Sequence, residues 1–180
     1  MLNQLYLSLN HRIIMSFNWI AVIVAALVPT VVGFVWYNPK VMGTAWMQAS
    51  GMTEEKMQGA NMGIIFGVSL VLSILLAVEM NFIVVHQMHL GSILMNEPGL
   101  NDPNSELGLW LADFMGKYGN NFRTFQHGVF HGVLAGLFFV LPVMGTNALF
   151  ERKGFKYIAV NVAYWTITLA LMGGIICAWQ

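Results

Sequence analysis

The chain has 180 residues, is 57% hydrophobic and only 9% charged, whereas soluble domains average about 25% charged. A formal net charge of zero excludes a basic field for nucleic acid. The single cysteine, Cys177, excludes an intramolecular disulfide.

Four apolar stretches, over about 17–37, 61–89, 124–150 and 157–179, organise the chain. Each reaches the ~20 residues that a helix needs to cross ~30 Å of hydrocarbon. They predict an all-α integral membrane four-helix bundle over 17–180, preceded by a surface segment over 1–16. In that segment Leu2, Leu5, Tyr6 and Leu9 recur at near-helical spacing, as in a helix lying on the membrane surface. It lacks the basic region and cleavage site of a secretory leader, and Met15 is an alternative start.

The first span is bracketed by Trp19 and by Trp36-Tyr37, ~25 Å apart at ~1.5 Å per residue, which suits aromatic rings at two interfaces. Pro29 predicts a kink and Asn38-Pro39 the helix end. In the first loop Val41, Met42, Ala45, Trp46 and Ala49 share a helical face, predicting an interfacial helix. Thr53, followed by Glu54 and Glu55, reads as the N-cap of the second spanning helix.

Span two opens with Gly59, Gly63 and Gly67, and span three carries Gly128, Gly132 and Gly136 at the same spacing. Glycine at every fourth position cuts a groove into which another helix backbone packs closely, the main attraction available in lipid. Each row serves either packing within the bundle or a contact between copies of the chain. The second loop starts with turn formers. Asn104 or Ser105 then caps a helix through Lys117, with Leu107, Leu109, Trp110, Leu111, Phe114 and Met115 as its apolar set.

Loop charges set the orientation. Arg12, Lys117 and Arg123 lie on one side; Lys40, Lys56, Arg152, Lys153 and Lys156 lie on the other. The first and third loops are therefore expected in the cytoplasm, with the termini and second loop outside.

Polar residues inside the spans are the candidates for function. Glu79 lies within span two, where an ionised carboxylate costs a few kcal/mol unless it is paired, protonated or hydrated. His86 follows seven residues later, nearly on the same face of a continuous helix, and His89 comes three after that. Span three opens with His127 and His131, an i,i+4 pair. Both ends face the same membrane surface, so the four histidines converge there, with Glu79 about 10 Å deeper and Gln126 near their level. Two imidazole pairs on adjacent helices suit a transition-metal site or a proton relay. They equally suit a structural hydrogen-bond network. Asn81, Asn147, Asn161, Thr166 and Thr168 are expected to bond between helices.

Several motifs occur in order along the chain: Asn18-Trp19, Trp36-Tyr37-Asn38-Pro39, Gly43, Trp46 and Gly51-Met52-Thr53-Glu54-Glu55. Later come Leu149-Phe150-Glu151-Arg152-Lys153, Asn161-Val162-Ala163-Tyr164-Trp165 and Leu171-Met172-Gly173-Gly174. With these the chain resembles the uncharacterised bacterial family catalogued as domain of unknown function 1761. The resemblance implies a small four-span protein of the bacterial inner membrane and brings no activity, ligand or site residue.

The leading expectation is a homo-oligomeric structural or accessory membrane protein whose partners are the bilayer, copies of itself and another membrane protein, with no nucleic acid. The alternative is a small transporter, channel or metal- or proton-binding protein that uses Glu79, His86, His89, His127 and His131, with a transition metal as the cofactor. An enzyme is disfavoured, because no nucleophile–base pair or phosphate-binding glycine loop stands out.

Overall fold

The computed structural model describes residues 17–179, and the segment expected over 1–16 lies outside the described residues. Among the described residues every regular element is helical. Four helices have the length and apolarity to cross a bilayer, which fits a membrane protein.

Helix α1 (Trp19–Trp36) begins where the Asn18 side chain accepts a hydrogen bond from the Ala21 amide, and it contains Pro29. A π-helical turn, Pro39–Gly43, leads into α2 (Thr44–Ser50), a helix around Trp46 as expected. The Trp46 ring stands edge-on to Tyr37 at 5.4 Å. Thr53 does not cap the second span. It caps a single helical turn, α3 (Glu54–Met57), which stops before Gly59. Gly59 takes a left-handed backbone, φ +82°, where glycine escapes the Cβ penalty. Asn61 then caps α4 (Met62–Val84) through the Ile64 amide. Gly59 is thus outside the helix that holds Gly63 and Gly67.

The second span also ends earlier than 89. Val85 leaves helical geometry at φ −101°, ψ 90°, and a new helix, α5 (Gln87–Ile93), follows. Ser105, not Asn104, caps α6 (Glu106–Tyr118), its hydroxyl accepting from the Gly108 amide at 2.9 Å. The third span is α7 (Phe125–Ala135), a π-helical turn over Gly136–Val140, and α8 (Leu141–Phe150). Pro142 explains the wide turn: its ring displaces the carbonyl four residues back and it donates no hydrogen bond there. The last span is α9 (Phe155–Ala178).

Helix α9 is the hub. In its most apolar stretch 67% of residues are buried, against 28% in α1, 11% in α4 and 17% in α7–α8. The main core joins Val22, Ala25 and Ala26 of α1, Ala77, Met80 and Val84 of α4, Ala135 of α7, and Leu169, Met172 and Ile176 of α9. Small residues at the crossings bring the helices close. A Cβ on Gly128 would strike the Gly173 carbonyl, one on Gly132 the Leu169 carbonyl, and one on Gly136 the Thr166 side chain. The second glycine row therefore packs inside the chain, against α9. Gly67 faces open space and Gly63 meets only its own Asn61 cap, 3.4 Å away.

Polar bonds tie α1 to α9. Tyr164 donates to the Pro29 carbonyl at 2.8 Å, Tyr37 to Asn161 Oδ1 at 3.1 Å, and the Trp36 indole to the Val160 carbonyl at 3.2 Å. Three expected interhelical partners behave otherwise. Thr166 bonds back to Val162 of its own helix, Asn147 is exposed, and the Thr168 hydroxyl is buried without an interhelical hydrogen-bond partner among the described residues. A second, smaller core forms where α6 folds over α5, built on Leu100, Leu111 and Met115 with Leu90 and Leu94 against them. This cap covers the membrane end at which the histidines lie.

Candidate metal centre

The break at Val85 places the site. His86 stands between α4 and α5, so its direction is set by the turn and not by the α4 helical face. Across from it, Thr124 caps α7 by accepting from the His127 amide at 3.2 Å, which puts His127 in the first turn. His131 follows one turn later on the same face.

Three imidazoles meet there. His86 Nε2 lies 2.7 Å from His127 Nε2, and His127 Nε2 lies 3.1 Å from His131 Nε2. One ligand nitrogen from each of the three falls within 4.8 Å of the others. Metal–nitrogen bonds of about 2.0–2.1 Å in a tetrahedral shell separate ligand nitrogens by roughly 3.3 Å, so small ring rotations bring all three onto one ion. Among the described residues no carboxylate or thiol joins this group. A fourth coordination position is left for water or another ligand, the arrangement that distinguishes reactive zinc sites from closed structural ones.

The neutral imidazole is the form that ligates metal. Burial lowers the His86 pKa below its ordinary value, and the neighbouring His127 and His89 lower it further. His127 lies at the positive end of the α7 dipole.

His89 stands beside the triad, its ring centre 6.4 Å from that of His86. Glu79 does not join. It is an exposed residue of α4, and the helix break between residues 84 and 87 removes the alignment that a continuous helix would give it with His86. Gln126 is likewise exposed.

Two site residues had little sequence signal. Phe122 packs its ring 5.0 Å from His127 and 6.2 Å from His86, from a left-handed backbone at φ 62°. That conformation costs a non-glycine residue roughly 1–2 kcal/mol, and strain of this kind collects at functional sites. Gln87 donates from Nε2 to the Asn121 carbonyl at 2.9 Å, while its Oε1 is buried without a partner. Behind the site, Arg123 holds the end of α9, donating to the carbonyls of Cys177 at 2.8 Å and Trp179 at 3.0 Å. Burial lowers the pKa of this guanidinium.

No curated protein and no solved structure matches the chain. The model of the family described as "Protein of unknown function (DUF1761)" matches residues 20–177, and the chain belongs to that family.

Proposed function

We propose that this is a membrane protein that binds one divalent transition-metal ion through His86, His127 and His131. The close approach of three ring nitrogens, at 2.7 and 3.1 Å and all within 4.8 Å, carries the reading. Imidazole ligands favour ions of the zinc and copper class over magnesium or calcium. The expected excess of Lys and Arg in the first and third loops puts the triad at the outer face of a bacterial inner membrane. The test is cobalt titration of chelator-stripped protein in mild detergent. One equivalent should produce the visible absorption of a low-symmetry Co(II) site. His127→Ala, which removes the central imidazole, should abolish it. A native spectrum retained in His127→Ala, or no cobalt bound by the unaltered chain, would refute the reading.

A second reading, self-association through α4, is favoured by one observation. Glu79 is exposed within the least buried span, in which Gly67 also lies open. A carboxylate facing lipid costs a few kcal/mol, and a second copy of the chain would cover it. Gly67→Leu should then lower the association state in detergent. Unchanged sedimentation of that variant would remove this reading.

A further inference from the structure

We infer that the triad takes a single-chain amphiphile as its ligand, with a metal-binding oxygen and an N–H or O–H in the head and one hydrocarbon tail. The inference rests on the metal reading and gives it a ligand class.

Three observations converge. First, the triad offers three nitrogens, and among the described residues no fourth protein group joins them. The open position is available to a ligand that is not among these residues.

Second, His86 also lines a cavity of about 410 Å³, whose other walls include Gln87, Leu90, Phe114, Met115 and Phe122. This lies toward the lower end of the ~300–1,000 Å³ range of ligand pockets, which suits one chain better than a two-chain lipid. The walls come from the turn just after the second span, from α5, from the α6 cap and from the loop before α7, so the cavity sits at the level where an amphiphile places its head. Phe122, held in its left-handed backbone, lines the cavity and contacts two of the imidazoles.

Third, Gln87 in the same wall has a buried Oε1 with no partner. Its Nε2 is committed to the Asn121 carbonyl, so the free atom is an acceptor. A buried acceptor left unmatched costs ~1–3 kcal/mol, and a turn of this side chain toward the cavity would offer it to a ligand N–H or O–H. The positive end of the α7 dipole beside His127 adds a preference for a head that binds the metal as an oxyanion. A hydroxamate combines all of these features: chelating oxygens, an N–H donor and a tail of chosen length.

The experiment uses the full chain loaded with Co(II) in nanodiscs and compares decanohydroxamate with acetohydroxamate by their effect on the cobalt spectrum. The long-chain probe should reach half effect at a concentration at least about tenfold lower. Filling the cavity should collapse that ratio toward one while cobalt binding persists. Leu90→Trp and Met115→Trp are two independent fillings, each read only where its cobalt spectrum is native. No cobalt spectrum in the unaltered chain overturns the metal reading itself. A native cobalt spectrum with equal response to both probes overturns this inference alone, as does a chain-length preference that survives in a filled cavity.

Discussion

Adding one methyl group to each glycine row should have opposite effects. In Gly132→Ala the new Cβ would stand about 2.5 Å from Ala170 Cα and from the Leu169 carbonyl carbon. Both belong to backbone, so no side chain can swing aside, and ordinary contact begins near 3.4 Å. Helices α7 and α9 must therefore separate by about 1 Å. A gap of that size forfeits a quarter to a half of each dispersion contact, each worth ~0.1–0.2 kcal/mol. If the crossing holds the ~40–60 contacts of one buried leucine, the loss is roughly 2–4 kcal/mol. Alanine returns ~1 kcal/mol of helix propensity, leaving a net destabilisation of about 1–3 kcal/mol. Gly67→Ala meets nothing within 4 Å and should be neutral, or stabilising by up to ~1 kcal/mol. Cys177 supplies the assay. It is the sole cysteine, fully buried at this crossing, and its Cβ lies where a Cβ on Gly128 would point. Its labelling rate by a thiol reagent in micelles reports opening of the α7–α9 pair. At ~1.4 kcal/mol per tenfold, Gly132→Ala should accelerate labelling roughly 5- to 150-fold and Gly67→Ala should not. Equal acceleration by both variants, or none by Gly132→Ala, would refute the assignment of the two rows.

Arg123→Ala strips the α9 terminus of two charge-assisted bonds, each worth ~1.5–3 kcal/mol. Cys177 labelling should rise, and carboxypeptidase should trim the C-terminus faster. Tyr164→Phe deletes the bond to the Pro29 carbonyl and should cost ~0.6–1.7 kcal/mol, read as a lower midpoint in thermal unfolding; an unchanged midpoint would mean that water or lipid replaces the bond. Lys153 donates to the Ser50 carbonyl at 2.6 Å, tying the third loop to the first. Lys153→Met should therefore speed tryptic cleavage after Lys56, measured by mass spectrometry.

The candidate site was legible in part. His127 and His131 were readable as a pair because they share one uninterrupted helix, where spacing alone dictates a common face. His86 was readable as their neighbour because two spans joined by a loop must end at the same surface. Glu79 was misplaced because its alignment with His86 assumed a helix continuing through Val85. Neither glycine nor proline marks that break. Gln87 and Phe122 had no signal, because an orphaned acceptor and a left-handed phenylalanine exist only once α6 and the loop before α7 have closed over the site.

The division between the two levels follows from the solvent. Hydrocarbon demands that each backbone polar group be satisfied within its own segment, so run length and apolarity determine four helices and their order from the sequence by itself. Asn18, Asn61 and Thr124 cap three of them through local side-chain bonds, although by sequence Thr53 reads as the cap of the second. Lipid gives little guidance about which face meets which, since an apolar side chain is equally at home against lipid or protein. Only the tertiary structure therefore decided that Gly128, Gly132 and Gly136 face α9 while Gly67 lies open. Tertiary packing likewise brought His86 within 2.7 Å of His127, because that approach depends on how α4 and α7 lean together against a third helix.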